Sequence, residues 1–417
     1  MPVIRLTIEK LGAKGDGIAT LEGRPVYVPY ALPGEVVQVE PGQRRGDGVA
    51  AELVRIEQPS PDRVEPPCRH FGFCGGCAAQ HLADGEYRRW KVGQIVEALA
   101  RRGLREVALE PMAVTPPQRR RRASFAAQKT RSGTVLGFHE RASHRLVDLL
   151  ECPVMLQPIE ALMAPLRGLL DRLSQGGPAQ ILINATDTGL DVAIAAKQPL
   201  DLACREMLAH FVTAQGLARL SWDGEPVATR RVPQLGLGAL TVEPPPGAFL
   251  QASIEGELAM RDAILRWAGK ARSLADLYGG VGTLSLPLVP DKRVHLVEGD
   301  AAAVAAAGKA ARQPAARSRL TVEQRDLVRR PLTPDELQRF DAVVFDPPRA
   351  GAAEQAAMLA QSQVPQVIAV SCDPATFARD ARLLVDGGYR LEAVLPVDQF
   401  LWSSHIELVA HFAKKRL

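Results

Sequence analysis

Two groups of residues in this chain have types and spacing that can do chemistry. The first is Cys372, in Gln366-Val-Ile-Ala-Val-Ser-Cys372-Asp373-Pro374, where a β-rich apolar run stops at a thiol and a helical pattern begins at once. In a parallel α/β sheet, ligands and reactive side chains sit at the carboxyl ends of strands. The thiol is therefore expected at the mouth of a sheet, beside a helix N-terminus that favours its thiolate. The second group is Cys68, Cys74 and Cys77, with Cys152 far downstream before Pro153. Four thiolates bind either a structural zinc ion or an iron–sulfur cluster. Zinc sites usually use two close pairs, so three bunched cysteines with one distant lean towards a [4Fe–4S] cluster. Zinc stays open as the alternative.

Around Cys372 the sequence supplies further groups. An apolar strand ends at Asp346-Pro347-Pro348-Arg349, and Glu407 interrupts the apolar run near the C-terminus. A carboxylate within such a run is costly to bury unless it is used or paired. Upstream, the strand pattern before Asp276 runs into Leu277-Tyr278-Gly279-Gly280-Val281-Gly282, and the next strand ends at Glu298, 22 residues after Asp276. An acid about 20 residues past a glycine turn commonly grips a ribose hydroxyl. The pattern is not the dinucleotide fingerprint, which points to a mononucleoside cofactor. A third strand precedes Asp326.

The elements that must position these groups divide the chain into three. Residues 1–56 read as short, evenly spaced strands with glycine turns, a small barrel of which the oligonucleotide-binding fold is one kind. Residues 57–247 read as a mixed α+β domain that holds the metal site. Its segment 84–103 has helical spacing and is expected to pack on the catalytic domain. Residues 248–417 read as strand–turn–helix repeats, an α/β fold, with the alanine-rich stretch 301–316 as one of its helices. Length alone favours several domains. No apolar run reaches the ~20 residues of a membrane span, and the N-terminus lacks a signal-peptide pattern, so a cytoplasmic protein is expected. Clustered cysteines fit metal binding or catalysis better than disulfides. Residues 1–150 hold 23 Lys/Arg against 17 Asp/Glu, a basic half suited to an acidic polymer. Four consecutive arginines, Arg119 to Arg122, open an apparent strand and offer phosphate contacts, although at most two can share a face.

Together these residues resemble the bacterial RNA (uracil-5-)-methyltransferases, specifically the iron–sulfur branch that methylates 23S ribosomal RNA. The resemblance covers essentially the whole chain. It implies an N-terminal TRAM barrel, a [4Fe–4S] cluster on Cys68, Cys74, Cys77 and Cys152, and a Rossmann-like class I methyltransferase domain. It further implies S-adenosyl-L-methionine at Gln251, Tyr278, Glu298, Asp326 and Asp346, with Cys372 as nucleophile, Glu407 as base, and a monomer acting on 23S rRNA or tRNA. Two departures stand out: Thr283 and Ser253 replace the family's usual asparagines. Methylation of an exocyclic amine is disfavoured because Arg349 replaces the aromatic of that signature and a cysteine has no part in it. Cytosine-5 methylation is disfavoured because no second cysteine accompanies Asp346. A non-catalytic iron–sulfur RNA-binding protein remains the reading from a different class.

Overall fold

Short strands with alternating burial build the N-terminal unit of the computed structural model, which describes residues 3–173 and 177–414. The strands are Ile4–Thr7, Lys10–Leu11, Asp16–Leu21, Arg24–Pro29, Val36–Arg45 and Gly48–Gln58. They form one six-stranded sheet in the order first, fifth, sixth, fourth, third, second. Leu6, Ala19, Val26, Val28, Val37 and Val39 point into its core, as the period of two requires. Glu22 and Gly23, both at positive φ, make the two-residue turn that matches strand twist. The contacts that fasten the barrel to the rest of the chain include the following two. Arg141 pairs with the buried Asp16 at 2.7 Å, and the Trp90 indole N–H donates to the Gly12 carbonyl at 3.0 Å.

The central unit is a seven-stranded sheet in the order Leu146–Asp148, Gly133–His139, Arg122–Thr130, Ala179–Thr186, Gly189–Ala195, Arg219–Trp222 and Glu225–Thr229. Helices Gln157–Arg172 and Leu202–Ala214 bury Leu162, Leu166, Leu169, Leu208 and Phe211 against Phe125, Ile181 and Ile183.

The C-terminal sheet has eight strands in the order Leu320–Gln324, Arg293–Glu298, Ser273–Leu277, Ala342–Phe345, Gln366–Ser371, Glu407–Lys414, Tyr389–Asp398 and Ala113–Val114. The first five pair in parallel, and Glu407–Lys414 is antiparallel to both its neighbours. The chain starts at Ser273–Leu277, winds outward to one side, then returns beside its starting strand at Ala342–Phe345. This reversal opens a crevice at the carboxyl ends of the strands. The helix Asp84–Arg101 leaves the central unit to bury Ile95 and Leu99 in the core that also holds Phe377, Leu384 and Phe412.

Three sequence readings change. The alanine-rich helix spans Ala301–Ala311 rather than 301–316, because Pro314 cannot donate to a continuing helix and starts a separate 3-10 turn. The unit boundary is not a clean cut at 247. Strand Ala113–Val114 completes the C-terminal sheet, and hairpin Leu235–Val242 packs its leucines into the C-terminal core. The arginine run is not a phosphate-binding row. Arg121 is 5% exposed and paired with the equally buried Glu257, and its Nε donates to the Gln251 carbonyl at 3.1 Å. Arg119 alone of the four projects well into solvent, beside Glu255 at 3.3 Å.

Removing one partner of a buried ion pair leaves an uncompensated charge. Arg121→Met is therefore expected to lower unfolding stability by about 3–5 kcal/mol, while adding Glu257→Leu restores most of the loss. Denaturant titration of both variants checks this.

Candidate active site

The glycine turn after strand Ser273–Leu277 starts the site. Tyr278 sits at φ 60° and Gly282 at φ 89°, and a Cβ on Gly282 would lie 2.1 Å from Leu286 Cδ1, so no other residue fits there. Glu298, at the end of the neighbouring strand, holds the turn open. Its Oε2 accepts the Gly280 amide at 2.9 Å, and its Oε1 accepts the amides of Gly299 and Asp300 at 2.7 and 2.8 Å. Helix Ile254–Ala268 is capped by Ser253, whose hydroxyl accepts the Gly256 amide at 3.0 Å and bonds the Thr115 hydroxyl at 2.8 Å. Serine at 253 is thus a helix cap. Thr283, the other departure, lines the cavity.

These elements enclose a cavity of about 660 Å³. Gln251, Asp276, Tyr278, Glu298, Asp346, Cys372 and Glu407 all line it, so every catalytic and cofactor residue read from sequence meets there except Asp326. That carboxylate is exposed and accepts the amides of Val328 and Arg329 at 3.1 and 3.2 Å, outside the lining. The cavity is acidic and poorly solvated. Burial lifts Asp276 to about 7 and Asp346 to about 7, against the hydrogen bond from Gln251. Burial, and then Asp346, lifts Glu407 to about 8, while a bond from Gln399 opposes the rise. The thiol of Cys372 goes up to about 11, from burial first and then from Glu407 and Asp346.

That last shift corrects the expectation that a helix N-terminus favours the Cys372 thiolate. Helix Pro374–Asp386 does begin beside Cys372, but Asp373 caps it, accepting the amides of Ala375 and Thr376 at 2.9 and 3.3 Å. The positive end is satisfied by an acid before it reaches the sulfur. Arg349 does not pair with Glu407 either; it reaches Asp373 at 3.2 Å.

Sequence reasoning missed Gln399. Its amide joins Glu407 Oε2 at 2.9 Å and Gln251 Oε1 at 2.8 Å, and its only outward sign was a polar residue just after an apolar strand ending in Asp398. It also missed the clamp beside it. Asp398 is fully buried against Lys91 at 3.0 Å, with the Tyr87 hydroxyl on its other oxygen. The Lys91 ammonium further donates to the carbonyls of Phe400 and His405.

The four remaining site cysteines lie around one second cavity of about 370 Å³, with Arg120, Phe400 and His405 in its wall. Phe400 lines both cavities. Burial pushes Cys77 up to about 12 and Cys152 up to about 11, and the neighbouring thiols push each further. Among the described residues, no three His, Cys, Asp or Glu side chains converge as the ligands of one metal ion. The thiols share a cavity without meeting at a point. At the mouth of the first cavity Phe249 is 63% exposed, with the Arg122 guanidinium 4.9 Å from its ring centre.

A cavity at the carboxyl ends of a parallel sheet, lined by a glycine turn, a thiol and several carboxylates, has the parts of a group-transfer enzyme's site. Comparison with known proteins narrows the class. Residues 2–40 match the TRAM domain and residues 245–415 match the tRNA (uracil-5-)-methyltransferase family. An uncharacterized RNA methyltransferase of Brucella suis biovar 1 is 46% identical over 99% of this chain and 98% of its own. The 23S rRNA (uracil(1939)-C(5))-methyltransferase RlmD of Halomonas elongata is 35% identical over 96% of this chain and 88% of its own. The Pyrococcus abyssi tRNA (uracil-54, C5)-methyltransferase, solved with S-adenosyl-L-homocysteine, shares the fold at a TM-score of 0.75 and 22% identity. That match covers 98% of this chain and 99% of the other. The chain belongs to the RNA (uracil-5-)-methyltransferase family. Among the described residues, no helix is long and apolar enough to cross a membrane.

Glu407 gives a pH dependence with a definite sign. An unfolded glutamate loses its proton near about 4.3, whereas folded Glu407 keeps it to about 8. The unfolded chain therefore binds fewer protons between these values, and its contribution to stability falls as pH rises through them. Glu407→Gln is expected to be more thermostable than the parent, by a margin that widens from about pH 5 to about pH 8. Thermal melts across that range check it.

Proposed function

We propose that this enzyme methylates C5 of a uridine in 23S rRNA through a covalent bond between Cys372 and C6. The observation that carries the reading is the meeting of Cys372, Asp346 and Glu407 in one poorly solvated cavity beside the glycine turn. S-adenosylmethionine, which Gln251, Tyr278, Glu298 and Asp346 would hold, would supply an electrophilic methyl group. Its supporting observation in this chain is the open turn held by Glu298. Uracil C5 is a weak carbon nucleophile. The Cys372 thiolate adds to C6, and the displaced electrons make C5 nucleophilic. Once C5 carries the methyl group, Glu407 takes the C5 proton, the C–H electrons restore the C5–C6 double bond, and sulfur leaves as thiolate. A raised carboxylate suits this step, because a base working near neutrality needs a pKa near neutrality. The uridine must leave its stack to reach the thiol, and the exposed Phe249 ring, flanked by Arg122, offers a stacking surface at the mouth.

Ribosomal RNA is preferred over tRNA because the rRNA-specific relative is 35% identical over nearly the whole chain. The basic N-terminal half and its TRAM barrel are the platform for that RNA. For the second cavity we propose a [4Fe–4S] cluster held by Cys68, Cys74, Cys77 and Cys152. This reading rests on the spacing of the cysteines, three bunched and one distant, and on the one cavity that all four line.

Three experiments test this reading. Cys372→Ala should abolish methylation and form no adduct with RNA, whereas Glu407→Gln should trap a methylated, denaturation-resistant protein–RNA adduct. If Glu407→Gln loses activity without such an adduct, Glu407 is not the base. Mapping 5-methyluridine in ribosomal and transfer RNA from a deletion strain identifies the substrate. Protein purified without air should absorb broadly near about 400 nm and hold about four irons; stoichiometric zinc without iron would overturn the cluster.

A further inference from the structure

Gln399 stands in none of the expected site roles, yet its side chain bonds both Glu407 and Gln251. It is 2% exposed, as buried as Glu407 and Gln251 at 3% each. Its Oε1 accepts the Ala252 amide at 2.9 Å. A backbone N–H can only donate, so this bond determines which end of the amide is oxygen. Both N–H groups of Nε2 are then aimed inward, one at Glu407 Oε2 and the other at Gln251 Oε1. With its oxygen so engaged, Gln251 must present its own amide nitrogen to Asp346 Oδ2, at 3.0 Å. One backbone amide thus sets the direction of a chain that ends on both carboxylates. The backbone at 399 is held as well, because Lys91 grips Asp398 before it and the carbonyls of Phe400 and His405 after it.

We propose that Gln399 is the positioning residue for the base, aiming Glu407 for the step that resolves the covalent intermediate. The inference rests on the reading of Glu407 as base. A donated hydrogen bond favours the charged form of a carboxylate. Among the described residues no cation pairs with Glu407: Arg349 is turned to Asp373 and Arg121 to Glu257. Of the groups facing Glu407, Asp346 disfavours its charge and Gln399 favours it, while Glu407 in turn pushes the Cys372 thiol up. Without the Gln399 donor, Glu407 keeps its proton to a still higher pH. Near neutrality it then takes the C5 proton more slowly than in the parent, and sulfur stays bonded to C6 for longer.

The test uses the full-length enzyme, a uridine-containing RNA oligonucleotide and methyl-labelled S-adenosylmethionine, with adduct followed by denaturing electrophoresis from about pH 6 to about pH 9. Gln399→Met, similar in length but without a donor, is expected to accumulate methylated adduct near neutrality. It should release that adduct as pH rises, with the acid limb of turnover moved up by about one unit, the size expected for losing one hydrogen bond to a charged group. Glu407→Gln, run in parallel, should hold the adduct at every pH. Gln399→Asn keeps the amide but is one methylene short, so it should shift the limb in the same direction by less; it decides the matter if the methionine variant does not fold. The inference is overturned if the Gln399 variants resolve the adduct with the parent's pH dependence. It is equally overturned if they lose activity uniformly without trapping adduct, which is the mark of a purely structural residue. A failure of Glu407→Gln to trap adduct refutes the base reading itself and is distinguishable from either result.

Discussion

Two carboxylates and a thiol share one poorly solvated cavity, and in so low a dielectric they cannot all be charged at once. Asp346, Glu407 and Cys372 are each pushed upward, first by burial and then, for Glu407 and Cys372, by neighbouring acids. Much of the surrounding structure keeps cations away from them. Arg349 is paired with Asp373, Arg121 with Glu257, and Lys91 with Asp398. An arginine beside Glu407 would have pulled its pKa down and left a poor base. Neutral amides from Gln251 and Gln399 contact the carboxylates instead. They offer direction without full charge, so the pKa values remain near neutrality.

Holding that arrangement takes parts from all along the chain. Strand Ala113–Val114 closes the edge of the C-terminal sheet beside Val397 and Asp398. Arg121, from the central unit, braces the Gln251 carbonyl. Helix Asp84–Arg101 buries one face in the C-terminal core and uses Tyr87 and Lys91 to clamp the segment that carries Gln399 and Phe400. The same helix reaches the barrel through Trp90. Phe400 lies between the cysteine-lined cavity and the catalytic one, so a disturbance of the first has a short physical route to the second.

Fold class and most of the site were legible in the chain because they rest on local signals. Alternating apolar residues mark the barrel strands, and strand–turn–helix repeats mark the α/β sheet. Acids or a thiol at strand ends mark the crevice, since a strand's carboxyl end is where such a sheet exposes its groups. The sequence alone therefore led to Cys372, Asp346, Glu298 and Glu407, and to the grouping of Cys68, Cys74, Cys77 and Cys152. What it could not determine was the use of each charge. Four consecutive arginines look alike in the chain, but packing buries Arg121 against Glu257 and leaves Arg119 in solvent. A helix N-terminus looks ready to favour a thiolate, until Asp373 is seen to cap it. Gln399 looks like any polar residue after a strand, because its partners lie 148 and 8 positions away. Ionisation and hydrogen bonding depend on what stands within a few ångströms from every direction, and only the folded chain brings Gln251, Asp346, Gln399 and Glu407 within that range.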